Sequence, residues 1–280
     1  MGKKNIAIQG IKASFHDVAA RKFFQSDEVV PVECLTFKIL CEKLQKNEAH
    51  GAVMAIENTI AGSILTNYSL LERYQFKIVG EVYLRIELSL MALAGQKIED
   101  LRFVQSHPMA LLQSEEFLFK YPQMKIVEAA DTAESAQIIS DKKLLGHGAI
   151  ASSLAAEVYG LQVLKEGIET NKQNYTRFLV IEKGGGHLKP ANTDKASLRF
   201  ETRNEPGSLV KVLNIFKDHK INMTKIQSVP ILGRPYDYSI HVDIEWDDSK
   251  NYHSAMIEFD KAAQNTIHFG EYKKGERPGL

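Results

Sequence analysis

A threonine hydroxyl and an arginine guanidinium stand side by side in Asn174-Tyr175-Thr176-Arg177-Phe178, at the mouth of an apolar run, Phe178-Leu179-Val180-Ile181. A hydroxyl donor next to a fixed cation can hold a small anion and hydrogen-bond an oxygen that departs from it. The same pair also fits an ordinary strand start, with the threonine satisfying backbone groups and the arginine facing solvent. Three polar constellations lie upstream. Ile56-Glu57-Asn58-Thr59 ends an apolar strand and precedes Ala61-Gly62-Ser63, a glycine turn whose amides could approach an anion. Ser106-His107-Pro108 marks a strand-to-helix junction, with proline suited to the first helical turn and open amides that favour anions. There Ser106 is expected to cap the helix, Gln113 to reach the same space from further along, and His107 to be the one obvious titratable group. Asp131-Thr132-Ala133-Glu134 reads first as a helix start, an N-cap aspartate with an acidic residue three positions on.

The elements that must position these residues alternate. Strand patterns at Ile6–Gln9 and Ala52–Glu57 are separated by helical patterns near Ser14–Phe24 and Thr36–Asn47. A second set runs through Arg102–Ser106, a helix over Pro108–Lys120, Lys125–Glu128, a helix near Thr132–Ile139, and Gly148–Ser152. Such alternation predicts βαβ units and largely parallel sheets. Between the sets, Phe76–Ala94 reads as one long β segment and a crossover between two lobes, with Leu161–Ile168 and Arg177–Ile181 as the return. Two lobes joined in this way enclose a cleft, a usual place for a small ligand. Gly184-Gly185-Gly186 and the following proline and small polar residues have linker composition. Beyond them the order is β-α-β-β-α-β, and its first helix carries Leu209, Val212, Leu213 and Phe216 at helical spacing.

In this order and at these distances, the motifs resemble prephenate dehydratase with a carboxy-terminal ACT regulatory domain, over nearly the whole chain. Members of that family turn a cyclohexadienol bearing two carboxylates into phenylpyruvate, losing carbon dioxide and water as the ring becomes aromatic. The resemblance implies an α/β fold: a two-lobed, periplasmic-binding-protein-like catalytic domain of mixed, largely parallel sheets over 1–183, and a ferredoxin-like βαββαβ ACT domain over 196–280. Lobe one would take about 1–77 and 169–183, lobe two about 78–168, and the linker 184–195. It implies Thr176 as donor to the leaving hydroxyl and Arg177 as carboxylate clamp, with Asn58, Ser106 and Gln113 completing the catalytic set. Glu57, Thr59, Gly62, His107, Thr132, Asn174 and Phe178 would contact substrate.

The sequence departs from the family pattern at several points. Ala55 and Thr59 stand for proline and serine, Met109 and Ser114 for glutamine and cysteine, and Asp131 for serine. In the ACT half, Gly207-Ser208-Leu209 is close to the family's phenylalanine-binding helix start. Gln227-Ser228-Val229-Pro230 lacks the family's glutamate and arginine, so L-phenylalanine as effector would rest on Gly207, Ser208, Leu209, Gln227 and Ser228.

No cofactor or metal is implied, and the partners implied are prephenate, L-phenylalanine and further copies of the chain, as a homodimer or homotetramer. With 35 basic and 35 acidic residues, no charge bias points to nucleic acid. Apolar stretches such as Leu88–Ala94 fall far short of the roughly 20 residues of a membrane span, and the amino terminus runs straight into a strand pattern, so a cytoplasmic protein is expected. Cys34 and Cys41 read as small hydrophobes. Two alternatives stay open: arogenate dehydratase, acting on the amino-acid analogue of the substrate, and a non-catalytic sensor of the same architecture.

Overall fold

The computed structural model describes residues 2–184, 192–231 and 233–278; most of the expected linker, 185–191, lies outside the described residues. In chain order the elements are β1 (Lys3–Gln9), α1 (Phe15–Phe23), β2 (Glu28–Cys34), α2 (Phe37–Gln45), β3 (Gly51–Asn58), β4 (Gly62–Ser63), α3 (Leu65–Tyr74), β5 (Lys77–Arg85) and β6 (Ser89–Ala92). Then follow β7 (Phe103–Ser106), α4 (Pro108–Gln113), α5 (Glu115–Leu118), β8 (Lys125–Glu128), α6 (Thr132–Asp141), β9 (His147–Ala151), α7 (Ser153–Tyr159), β10 (Gln162–Lys165) and β11 (Tyr175–Glu182). The last set is β12 (Lys195–Glu201), α8 (Ser208–Asp218), β13 (Asn222–Pro230), β14 (Tyr238–Glu245), α9 (Ser249–Ala262) and β15 (Gln264–Tyr272). The chain divides into two compact units, one built on Met1–Ser63 and Val82–Phe178, the other on Ile64–Glu81 and Leu179–Arg277.

Two mixed sheets are built mainly from residues of the first unit, as the expected α/β class requires. One has the order β2-β1-β3-β11-β5 with β4 on β3, and β1 pairs in parallel with both β2 and β3. Ile6, Ala7 and Ile8 of β1 and Ala52 to Ile56 of β3 are all buried, the continuous apolar run of central parallel strands covered on both faces. The other has the order β10-β6-β9-β7-β8, parallel where β7 meets β8 and β9, antiparallel where β6 meets β9 and β10. Cys34 and Cys41 are buried, and burial pushes the Cys41 thiol up to about 12.

Several elements differ from the sequence reading. The long segment Phe76–Ala94 is two strands in different sheets, β5 and β6. The chain turns between them, where Ile86 N donates to Asn174 O at 2.8 Å and Leu88 N to Glu169 Oε2 at 2.9 Å. Arg85 adds an ion pair to the same buried Glu169 carboxylate at 3.1 Å. The helix expected over Pro108–Lys120 breaks at buried Ser114. Gln113 O, which would continue the ladder, instead accepts from Thr170 N at 2.7 Å. The sequence reading lacked β2 and α3. Helix α3 has no side-chain cap at Ile64, and it carries Thr66, Asn67 and Ser69, residue types of modest helix propensity.

In the second unit, β13-β14-β12-β15 form an antiparallel sheet with α8 and α9 on one face. Phe200, Val212, Phe216, Val242 and Phe259 belong to the core on that side. The other face is polar yet buried. Arg199 Nε and His241 Nε2 reach the α3 residue Glu72 at 2.7 and 3.1 Å, and Lys195 meets Glu81 of β5 at 2.9 Å. Burial raises the Glu72 carboxyl, but hydrogen bonds from His241 and Arg199 outweigh it and hold it at about 2.

Candidate active site

Strand β3 ends in Glu57 and Asn58, and the turn after it fixes the Asn58 amide. Its Oδ1 accepts from Ile60 N and Ala61 N, both at 2.9 Å, so its NH2 must point the other way, toward β11. The turn amides that the sequence offered to an anion are thus partly committed to Asn58. From Nδ2, Asn58 donates to Asn174 Oδ1 at 2.8 Å and to Thr176 Oγ1 at 2.9 Å, with Tyr175 O at 3.2 Å. Asn174 Nδ2 in turn donates to Gln113 Oε1 at 3.0 Å. Four of the expected residues, Asn58, Gln113, Asn174 and Thr176, therefore form one connected group whose donor directions all follow from two backbone amides. At its ends, the Thr176 hydroxyl hydrogen and Gln113 Nε2 have no partner among the described residues.

Thr176 and Arg177 do not share a face. Successive side chains of a strand point to opposite sides; Thr176 turns to Asn58, whereas Arg177 pairs with Glu57 at 3.4 Å and lies over the Tyr83 ring, 5.9 Å from its centroid. Arg177 is only 3% exposed. Arg177, expected beside the threonine as a carboxylate clamp, stands here on the other face in a buried pair with Glu57. Tyr83, which sequence reading missed, has no signal beyond its position in an alternating strand. Phe178 is core, edge-on to the His16 ring at 5.0 Å. Thr59 is exposed, with its hydroxyl bonded to the backbone of Gln173 and Tyr175, and Gly62 pairs opposite Asn58 with a φ of 80°.

In the second sheet of this unit, the expected helix cap is displaced by one residue. His107 Nδ1, not Ser106, accepts from Met109 N at 3.2 Å. Ser106 is fully buried and donates to Ile150 O at 2.6 Å, tying β7 to β9. Asp131 caps α6 by accepting from Ala133 N and Glu134 N, which leaves Thr132 half-buried in the first turn. The Asp131 Oδ2 lies 2.6 Å from where a Cβ on Gly10 would stand, so a side chain there would have to displace the capping carboxylate. Burial raises the Asp131 carboxyl against the pull of those two amides.

A separate cavity of about 370 Å3 lies in the second unit beside the start of α8, lined in part by Arg203, Glu205, Gly207, Ser208, Leu209 and Ser228. Gln227, the fifth expected effector residue, is not in its lining; its amide donates to Ser228 O at 2.8 Å. Among the described residues, no group of three or more His, Cys, Asp or Glu could hold a metal ion, and no helix is long and apolar enough to cross a membrane.

The sequence profile of prephenate dehydratase matches residues 6–185. The chain belongs to the prephenate dehydratase family. It is 35% identical over 276 residues to a bifunctional chorismate mutase/prephenate dehydratase of Aquifex aeolicus, covering 97% of this chain and 74% of that protein. It is 41% identical over 230 residues to arogenate dehydratase 2 of Petunia hybrida, covering 81% of this chain and 57% of that protein. Among solved structures, it superposes with a TM-score of 0.85 on GqqA, described as a novel type of quorum quenching acylase, at 27% identity and coverage of 98% and 99%. It also matches the fold of the Arthrobacter aurescens prephenate dehydratase in complex with L-Phe, with a TM-score of 0.81, 24% identity and coverage of 96% and 89%. As a prephenate dehydratase family member the chain is an enzyme, and the Asn58–Thr176 group lies within the matched residues.

Proposed function

We propose that the chain converts prephenate to phenylpyruvate in the cytoplasm, with Thr176 as hydrogen-bond donor to the departing ring hydroxyl. The supporting observation is the state of Thr176 Oγ1, which accepts from Asn58 Nδ2 at 2.9 Å and keeps its own hydrogen for another acceptor. In the reaction the bond from ring to carboxylate breaks, its electron pair enters the ring as carbon dioxide leaves, and the ring carbon–oxygen bond breaks. The departing oxygen takes one proton from solvent and becomes water. Threonine is too weak an acid to transfer that proton outright at neutral pH, so its part is to stabilise charge on the leaving oxygen. Gln113 Nε2 donates to a substrate carboxylate, and His107 and Thr132, at the starts of α4 and α6, meet the substrate from the other lobe. Arg177 acts through Glu57, and Ser106 through β9, as positioning residues.

The domain limits follow the same reading: a catalytic domain over 1–183 and an ACT domain over 196–280 that pairs with its copy in a homodimer or homotetramer. L-Phenylalanine is the effector of the cavity beside α8, a reading supported by the L-Phe complex of the Arthrobacter protein. A second substrate, arogenate, is favoured by the 41% identity to the Petunia enzyme. Purified protein given prephenate or arogenate separately tests both: the favoured substrate is consumed, and Thr176→Val lowers kcat by about 100-fold or more, the loss typical of one missing oxyanion donor. Consumption of neither above the uncatalysed rate overturns the reading.

A further inference from the structure

We propose that Thr59 is a positioning residue, a clip that sets the Gln173–Tyr175 backbone so that Asn174 and Thr176 meet Asn58. The proposal rests on the dehydratase reading above. Asn58 and Thr59 are neighbours at the end of β3, and they divide the work of holding β11. Asn58 takes the side chains of Asn174 and Thr176. Thr59 takes the backbone between and before them: its Oγ1 donates to Gln173 O at 2.9 Å and accepts from Tyr175 N at 2.9 Å, and its own N donates to Tyr175 O at 2.9 Å.

Three bonds thus converge on the residues either side of Asn174. Because side chains alternate along an extended chain, fixing the peptide groups at 173 and 175 fixes the direction in which Asn174 projects. Thr176 follows one step later. The Thr59 hydroxyl has one hydrogen, and Gln173 O takes it, so no donor is left for a substrate. Its effect on the reaction runs through the placement of Thr176. Thr59 is also exposed and outside the hydrophobic core, so replacing it leaves the packing of the lobe intact.

The test is Thr59→Val, which keeps the shape and loses both hydroxyl bonds, beside Thr59→Ser, which keeps them. Hydrogen exchange at the Tyr175 amide reports the clip directly and needs no substrate. Expected is exchange faster by about 10-fold in Thr59→Val, the loss of a hydrogen bond near 1.4 kcal/mol. In turnover, kcat falls about 10-fold or more while KM stays within about threefold, and Thr59→Ser restores both readouts. With Asn58→Ala already in place, Thr59→Val costs about twofold or less, because there is no Asn58 contact left to set. A loss seen mainly in KM, an equal loss in both backgrounds, or unchanged exchange at Tyr175 overturns the proposal. If the wild-type protein consumes neither substrate, the functional reading fails while the exchange measurement still decides the clip.

Discussion

Asn58 Nδ2 donates to Thr176 Oγ1 at 2.9 Å across 118 positions of sequence, and the direction of that bond is set from behind, by the Ile60 and Ala61 amides on Asn58 Oδ1. An asparagine gripped in this way has no freedom to flip. The hydroxyl it serves can only accept on that side, and so its hydrogen is turned outward.

Asn58→Asp reverses that direction. The new carboxylate still accepts from the two turn amides, but it cannot donate, so it takes the Thr176 hydrogen for itself and adds a negative charge close to an anionic substrate. We expect kcat to fall by about 100- to 1,000-fold with an unchanged circular dichroism spectrum. Turnover within about threefold of wild type would mean that Thr176 donates by another route.

Arg177→Lys separates a buried positioning cation from a substrate clamp. The guanidinium pairs with Glu57 and lies over Tyr83, a combination of planar fork and ring contact that a lysine ammonium does not reproduce. The expected outcome is a lower Tm and a kcat reduced about 10-fold, with KM for prephenate within about threefold of wild type. Removal of a direct charge-assisted bond to a carboxylate would instead raise KM by about 10-fold or more.

How much of this was legible in the sequence depends on whether the signal was local. The alternation of apolar strands and helices, the helix starts near Ser14 and Thr36, and the β-α-β-β-α-β order of the carboxy-terminal half are all written within short windows, and the fold follows them. The polar residues of the site were found because their motifs are contiguous. Their pairings were not, since Asn58 and Asn174 meet only after the chain has passed through both sheets of the first unit. Side-by-side reading of Thr176 and Arg177 failed for a simple reason: neighbours on a strand face apart. The buried polar face of the carboxy-terminal sheet was equally hidden, because charged side chains are seldom buried without a partner, and only α3 and β5 bring Glu72 and Glu81 to Lys195, Arg199 and His241.

His16 ties stability to pH. Its ring is buried against Phe37 and Phe178, Nε2 has no hydrogen-bond partner among the described residues, and burial lowers its pKa from 6.5 to about 3. The unfolded chain therefore binds a proton below pH 6.5 that the folded chain refuses, so this contribution is fully present above 6.5 and is lost as pH falls toward 3. The slope approaches about 1.4 kcal/mol per pH unit in that window. His16→Gln, which does not titrate, should flatten the fall of Tm between pH 6.5 and 4; equal slopes in the two proteins would place the acid sensitivity elsewhere.

Gly270 marks a close backbone approach in the second unit. A Cβ added there would lie 2.1 Å from Ile78 O and 3.2 Å from Ile78 N, so β15 and β5 touch main chain to main chain. A flexible side chain could move aside; a peptide group held in β5 cannot. Glycine is needed here for its missing side chain, since its φ is not in the left-handed region. Gly270→Ala must push β5 off the sheet face where Glu81 pairs with Lys195, and a separation there would expose a buried ion pair as well as open the packing. We expect a cost of about 3 kcal/mol, at the upper end of overpacking penalties, read as a lower Tm in a thermal melt. An alanine variant that melts with the wild type would show that the two strands can part at no cost, and that the polar face of the sheet is held by its ion pairs alone.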